Sequence, residues 1–151
     1  MGIHFIVLNS AYDLNHGSQQ NQWLLADLQK NEKSKAFKVA VFHYPPFSTG
    51  EHPNDEYGLQ KSIVPLLQQY GVNMVFNGHQ HCYERLQSKG IYYIVTGGGG
   101  APLYKQERKI PESQLYLETY HFCMITVENQ TLTMVALTPD LKEIDRVVIK
   151  K

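Results

Sequence analysis

The sequence predicts an α/β fold of layered architecture, with a mixed first part and an antiparallel ending. Up to about residue 96, apolar runs rich in β-branched residues alternate with stretches of helical periodicity. From residue 121 onward, three apolar runs follow one another with only short turns between them. The order β-α-β-α-β-β followed by antiparallel strands is typical of a layered fold whose early strands are partly parallel. With 151 residues and no low-complexity linker, the chain is expected to form a single domain over 1–151.

Seven strands are predicted from apolar runs that are bounded by polar, turn-rich segments. The strands of the first part are expected at 4–10, 37–42, 72–77 and 91–96. The closing strands are expected at 121–127, 131–137 and 143–149, joined by the turns ENQ and TPDLK. Connections this short join neighbouring antiparallel strands.

Two stretches have helical spacing. The first begins at Ser18, a plausible N-cap, and ends at about Asn31. Its apolar face is expected to consist of Trp23, Leu24, Leu25 and Leu28. The second is expected over 59–70, with Gly71 where a C-terminal cap belongs. Pro65 would disturb this helix unless it lies near the first turn.

Composition and charge exclude several classes of protein. The chain has 14 Lys and Arg residues and 14 Asp and Glu residues, so no basic excess exists to neutralise nucleic-acid phosphates. No apolar run is long enough to span a bilayer, so no membrane partner is expected. Two cysteines, Cys82 and Cys123, cannot form a disulfide framework or a four-sulfur zinc site. A single disulfide between them is possible, but buried thiols are favoured, and a structural zinc module is disfavoured.

Three histidines follow two of the predicted strands at their carboxyl ends. His43 comes directly after the second strand, and His79 and His81 come after the third, behind Gly78. Ligand sites of α/β sheets gather at the carboxyl ends of strands. Neutral imidazole is a common ligand of zinc-like metals, and residues i and i+2 of extended chain project to the same side. Spacing alone therefore suggests a metal site but an incomplete one, because a metal pair also needs anionic ligands and the carboxylates closest in sequence are only Glu51 and Glu84. A chance His-x-His pair remains the alternative.

Five segments, taken in order, resemble one family. GHQHCYER resembles the G-H-x-H-x-Y-E-R segment of metallophosphoesterases related to purple acid phosphatases, within the calcineurin-like group. VFHYPPFSTGEH resembles the segment in which a histidine ends a strand before a Pro-rich loop. The other three similar segments are HFIVLNS, QNQWLLADL and GIYYIVTGGGGAPLY. The resemblance implies the second half of a metallophosphoesterase-type β-sandwich flanked by helices.

The resemblance also implies a metal centre and a reaction. The family hydrolyses phosphate esters with two metal ions of iron, zinc or manganese. By resemblance, His43 and His79 bind one metal and His81 binds the other. His52, nine residues after His43, matches a histidine near the substrate phosphate and is the candidate catalytic residue, with an exposed loop histidine as the alternative.

The tail of the GHQHCYER motif is expected to support the loop rather than to bind metal; it consists of Tyr83, Glu84 and Arg85. The glycine run at 97–100 is not a phosphate loop, because Ala-Pro-Leu-Tyr follows it instead of Gly-Lys-Ser/Thr. We expect instead a tight backbone passage beside the metal site.

The family's N-terminal signatures are absent from the chain. It contains no Gly-Asp pair, and its Asn15-His16 pair is preceded by Leu14 rather than by Gly. The chain therefore resembles only the C-terminal half of a catalytic domain, with two, one or no metal ions bound. Its partners would be a phosphate ester and either a missing N-terminal half or further copies, because half a layered sheet leaves an unpaired edge. The alternative function is a non-catalytic binding or assembly module that keeps the fold and a vestigial site.

Overall fold

Two β-sheets pack face to face in the computed structural model, which describes residues 2–151. The larger sheet contains β1 (Ile3–Val7), β2 (Phe37–Val41), β3 (Met74–Asn77), β4 (Tyr83–Ser88), β5 (Ile91–Thr96) and β6 (Ser113–Leu117), in the spatial order β1-β2-β3-β5-β4-β6. The smaller sheet contains β7 (Phe122–Glu128), β8 (Thr131–Leu137) and β9 (Glu143–Lys150) in sequence order. The strands β1, β2, β3 and β5 are parallel, whereas β4 and β6 and the whole smaller sheet are antiparallel. The predicted fold class and all seven predicted strands are confirmed.

The first predicted helix is confirmed as α1 (Gln19–Lys30), but its buried face differs from the prediction. The Ser18 hydroxyl accepts the backbone N–H of Asn21 and so caps the helix. Leu24 and Leu28 are fully buried against the larger sheet. Trp23 is 50% exposed and lies outside this face, so the predicted face is wrong for Trp23. Successive residues of a helix are rotated by about 100°, so Trp23, Leu24 and Leu25 spread over about 200° and cannot all face the sheet.

The second predicted helix is divided into α2 (Leu59–Ser62) and α3 (Val64–Gln69). Pro65 lies in the first turn of α3, the position where a proline needs no hydrogen-bond donor. Gly71 has a φ of +65°, and its N–H donates to the carbonyl of Gln68. The predicted C-terminal cap is therefore confirmed, and the break between the helices falls directly before the proline.

Two strands, β4 and β6, were not predicted. The sequence of β4, YERLQS, is mostly polar, so its apolar alternation is weak. It forms a hairpin with β5 through Lys89 and Gly90, which both have positive φ. Because β5 lies between β3 and β4, the pairing of β4 is decided by tertiary context rather than by local pattern.

An apolar core fills the space between the sheets, except at the β1 margin. Met74 and Ile94 of the larger sheet and Met134 of the smaller sheet are fully buried there. On β1, however, Phe5 is 53% exposed and Val7 is 68% exposed on the face turned toward this space. Among residues 2–151, β1 pairs only with β2. The expected unpaired edge and exposed face are thus found at β1.

None of the helices in the described part of the chain is long and apolar enough to cross a membrane.

Candidate metal centre

The carboxyl ends of β2 and β3 bring two of the predicted histidines together. The Gly78 N–H donates to the His43 carbonyl at 2.9 Å, which joins the two segments just beyond the strands. The buried Asn77 amide reinforces the junction by donating to the Phe42 carbonyl at 2.9 Å. A Cβ at Gly78 would lie 3.2 Å from the His43 ring nitrogen Nδ1, so any residue larger than glycine would crowd the His43 ring. The rings of His43 and His79 consequently meet edge to face with centroids 5.3 Å apart.

His79 occupies a strained backbone position. Its φ is +65°, which is uncommon for a non-glycine residue and is found at functional sites more often than elsewhere. Burial is the main cause that lowers the pKa of its imidazole, and the neighbouring His52 and His43 lower it further, against the opposing effect of Glu56. A neutral imidazole is the form that binds metal ions.

Aromatic rings flank His79 on one side. The Tyr44 ring meets it edge to face at 4.7 Å and stacks on Tyr57 at 3.7 Å. The hydrogen bond to Tyr44 is the largest cause that raises the pKa of Tyr57 to about 12, so the Tyr57 phenol remains neutral near pH 7. These two tyrosines give the candidate centre a rigid wall that the sequence analysis did not single out.

A carboxylate that the sequence analysis missed lies beside His79. Glu56 Oε2 is 3.2 Å from His79 Nε2 and 3.8 Å from His52 Nδ1. The ligand atoms of His52, Glu56 and His79 all lie within 4.8 Å of one another. Glu56 is four residues after His52 in the Pro-rich loop, and that spacing is the only sequence signal that could have indicated it. Glu51 and Glu84 are nearer to the histidines in sequence. The carboxylate of Glu51, however, accepts the backbone N–H of Lys105.

His81 is held apart from this group. Its Nδ1 lies 2.9 Å from the Pro102 carbonyl, and its ring stacks on Tyr104 with centroids 4.2 Å apart. A carbonyl can only accept, so Nδ1 carries the proton and Nε2 keeps its lone pair, as in many metal-binding histidines. Within the described residues, neither His43 nor His81 belongs to a group of three close ligand atoms.

The glycine run passes tightly behind His81, as expected. A Cβ on Gly97 would lie 2.0 Å from the Gln80 carbonyl oxygen, and one on Gly98 would lie 2.4 Å from the Thr119 carbonyl oxygen. The glycines therefore permit backbone contact rather than anion binding.

Cys82 is fully buried, and both cysteines are free thiols.

Glu84 supports the Pro-rich loop from below. Its fully buried carboxylate accepts the Thr49 N–H at 3.0 Å, the Thr49 hydroxyl at 2.6 Å and the Ser113 hydroxyl at 2.7 Å. Burial raises the pKa of Glu84, and these hydrogen bonds oppose the shift. The predicted supporting role is thus confirmed for Glu84. Tyr83 and Arg85 instead donate to Asp145 of β9, so they connect the two sheets and not the loop, which corrects the prediction for them.

The donors at this edge fit a zinc-like ion better than a complete dinuclear centre. They are imidazoles together with a single nearby carboxylate, Glu56, whereas paired metals require bridging anionic ligands. His52, His79 and Glu56 are close enough to bind one ion together.

Comparisons with known proteins agree with this architecture. The sequence model described as Calcineurin-like phosphoesterase matches residues 4–83. The chain is 35% identical over 148 residues to Probable purple acid phosphatase 20 of Arabidopsis thaliana, covering 86% of this chain and 34% of that protein. It is 32% identical over 106 residues to Tartrate-resistant acid phosphatase type 5 of Rattus norvegicus, covering 68% of this chain and 32% of that protein.

Two solved structures share the fold. A purple acid phosphatase from yellow lupin (Lupinus luteus) seeds superposes with a TM-score of 0.84 at 20% identity, covering 98% of this chain and 31% of that one. GAP50, the anchor in the inner membrane complex of Plasmodium, superposes with a TM-score of 0.85 at 18% identity, covering 98% and 49%. The chain spans about a third of the length of the curated relatives described above. It belongs to the calcineurin-like phosphoesterase family and is related to the purple acid phosphatases.

Proposed function

We propose that this chain supplies the histidine half of a dinuclear centre that hydrolyses phosphate esters. The observation that carries the proposal is the junction of β2 and β3, where His43 and His79 meet beyond two parallel strands. In this proposal His43 and His79 hold one metal ion and His81 holds the other. The metal ions, of iron, zinc or manganese, would provide Lewis acidity and a nucleophilic hydroxide near neutral pH.

His52 is proposed to contact the substrate phosphate. Its backbone is fixed on both sides, because its carbonyl accepts from Arg108 Nη1 at 2.7 Å and from Gln80 Nε2 at 3.0 Å. Its side chain is 36% exposed and its ring lies 3.9 Å from that of His79. An imidazole on a backbone fixed in this way can donate a hydrogen bond to a phosphoryl oxygen and stabilise charge in the transition state.

A second polypeptide segment is proposed to complete the centre. The cleft beside His43 has a volume of about 360 Å³ and extends to Val7, so it is open toward the unpaired β1 edge. A segment that adds to β1 would cover the exposed Phe5 and Val7 and bring carboxylates to this cleft. The N-terminal half of a catalytic domain fits this description, and a second copy of the chain is the alternative.

Metal content per chain, measured by elemental analysis after purification without chelators, tests the proposal. We expect bound zinc, iron or manganese in the wild type and its loss on substitution of His79 or His81 by Ala. The matched control is His16→Ala, which alters an exposed histidine outside the site. Unchanged metal content in both site variants would refute the assignment. Hydrolysis of a chromogenic phosphate monoester would then be measured on metal-loaded protein.

A non-catalytic module is the second candidate function. Only one carboxylate, Glu56, joins a close ligand group among the described residues, which favours a vestigial centre. The fold is not restricted to enzymes, since one protein that shares it is named as an anchor. Wild-type protein that carries no metal and hydrolyses no phosphate ester would support this function.

A further inference from the structure

We propose that His52, Glu56 and His79 form a metal site of their own, which takes one zinc-like divalent cation. This set shares His79 with the proposed dinuclear centre but uses neither His43 nor His81. It does not depend on phosphate-ester hydrolysis. The site would be present in the chain alone, before any partner adds further carboxylates.

The spacing of the three side chains suits tetrahedral coordination. Zinc bonds to nitrogen and oxygen of about 2.0–2.2 Å place neighbouring ligand atoms of a tetrahedron about 3.4 Å apart. The observed separations from Glu56 Oε2 are 3.2 Å to His79 Nε2 and 3.8 Å to His52 Nδ1. To surround an ion, the His52 and His79 rings, whose centroids are 3.9 Å apart and whose planes are inclined by 31°, must also separate until both lone pairs point to it.

The charge of the group is suitable for a cation. Within the described residues, the only ion-pair partners of Glu56 are His52 and His79. No lysine or arginine neutralises its carboxylate. When both histidines are neutral, the group carries one net negative charge between two imidazole lone pairs. Two histidines and one glutamate are also the donor set of known zinc hydrolases.

The backbones of two of the three ligands, His52 and His79, are held in place by contacts that do not involve a metal. His79 is fixed by its turn after Gly78, and the carbonyl of His52 accepts from Arg108 and Gln80. Gln80 is fully buried and also accepts the His52 N–H at 3.3 Å, so one side chain fixes both backbone groups of His52. Preorganisation of this kind lowers the ordering cost of binding an ion.

One side of the group is open to solvent. The side chains of His52 and Glu56 are 36% and 35% exposed, whereas that of His79 is 17% exposed. Three protein ligands would thus leave the fourth position to water. An open position distinguishes catalytic or exchangeable zinc sites from closed structural ones.

The test is a titration of dialysed, metal-free protein with Zn²⁺ by calorimetry, repeated with Co²⁺ to record the visible absorption of a tetrahedral site. If this site forms, one Zn²⁺ per chain should bind to the wild type and to His81→Ala, whereas metal uptake by the dinuclear centre alone would be lost in His81→Ala. Glu56→Gln keeps the size of the side chain but removes its charge, and it should weaken the affinity for Zn²⁺ about 100-fold or more. Residues that only hydrogen-bond to metal ligands already contribute about 10–100-fold to metal affinity, and a direct ligand should contribute at least as much. The matched control, Glu51→Gln, alters an exposed glutamate of the same loop and should leave affinity unchanged.

The outcomes separate this inference from the proposed function. Wild-type affinity in Glu56→Gln, together with loss of binding in His79→Ala and His81→Ala, would overturn the inference and leave the dinuclear proposal standing. Loss of Zn²⁺ binding in Glu56→Gln, with full Zn²⁺ binding in His81→Ala, would support the inference. Metal uptake would then no longer support the dinuclear centre. Far-UV circular dichroism of the metal-free variants shows whether they are folded, and a folded Glu56→Gln variant that binds Zn²⁺ normally is decisive against the site.

Discussion

Replacing Gly97 by alanine should destabilise the protein and displace the metal-site loop. The added Cβ would lie 2.0 Å from the Gln80 carbonyl oxygen and 2.8 Å from its carbon. Ordinary contacts between carbon atoms are about 3.5–4.0 Å, so one backbone segment would have to move by more than about 1 Å. Overpacking of a side chain costs about 1–3 kcal/mol, and a clash between two backbones has no rotamer to relieve it. We therefore expect a loss of about 3 kcal/mol or more in the free energy of unfolding.

The assay is urea unfolding followed by far-UV circular dichroism. The matched control is Gly99→Ala, since Gly99 is exposed and a Cβ there would meet no atom within 4 Å. That variant should stay within about 0.5 kcal/mol of the wild type, as is usual for surface substitutions. Equal unfolding midpoints for the two variants would refute the close-passage argument. Because His81 follows Gln80 directly, Gly97→Ala should also weaken any metal uptake that depends on His81.

Substitutions at three further positions test other parts of the structure. Glu84→Ala removes the acceptor of three hydrogen bonds and should lower the free energy of unfolding in urea by about 2–4 kcal/mol. Glu84→Gln should lower it less, and equal losses for the two variants would contradict the hydrogen-bond argument. Burial lowers the pKa of His121 below its ordinary 6.5, so the folded state holds fewer protons than the unfolded state and stability should fall as pH drops below about 6.5. His121→Gln should flatten the dependence of the melting temperature on pH between 7 and 5, leaving the contribution of His79, whose pKa is also lowered. Val7→Lys places a charge on the open edge and should reduce the expected self-association in sizing chromatography; a wild type that is already a monodisperse monomer would contradict that expectation.

Local pattern was sufficient for the elements whose burial is simple. Strands buried on both faces, such as β2 and β3, are mostly apolar runs, and their carboxyl ends bring His43 and His79 together. By contrast, β4 carries the carboxyl group of Glu84 into the interior. A pattern of polar and apolar residues cannot distinguish this from an exposed segment, because the hydrogen-bond donors that compensate Glu84 come from distant parts of the chain, Thr49 of the Pro-rich loop and Ser113 of β6.

The same limitation explains why Glu56 was missed. Its distance to His79 in the chain is 23 residues, and their contact depends on how the Pro-rich loop folds back over β3. Loop conformation follows from contacts such as those of Gln80 and Arg108 with the His52 backbone, which have no sequence period. Trp23 shows the opposite error, since a large apolar residue was expected inside but lies beside the open β1 margin.

The open edge and the incomplete centre are connected by geometry. The cleft at His43 is lined by Val7, Val41 and Phe76, so any segment that covers β1 also closes one side of the centre. Closing this side would exclude water from the histidines and strengthen their interaction with a cation. Metal binding and completion of the sheet should therefore stabilise each other, because each binds only to the folded arrangement of the other. On this argument the His52, Glu56 and His79 group can bind an ion in the chain alone, whereas a second ion at His81 requires the carboxylates that a strand added to β1 would bring.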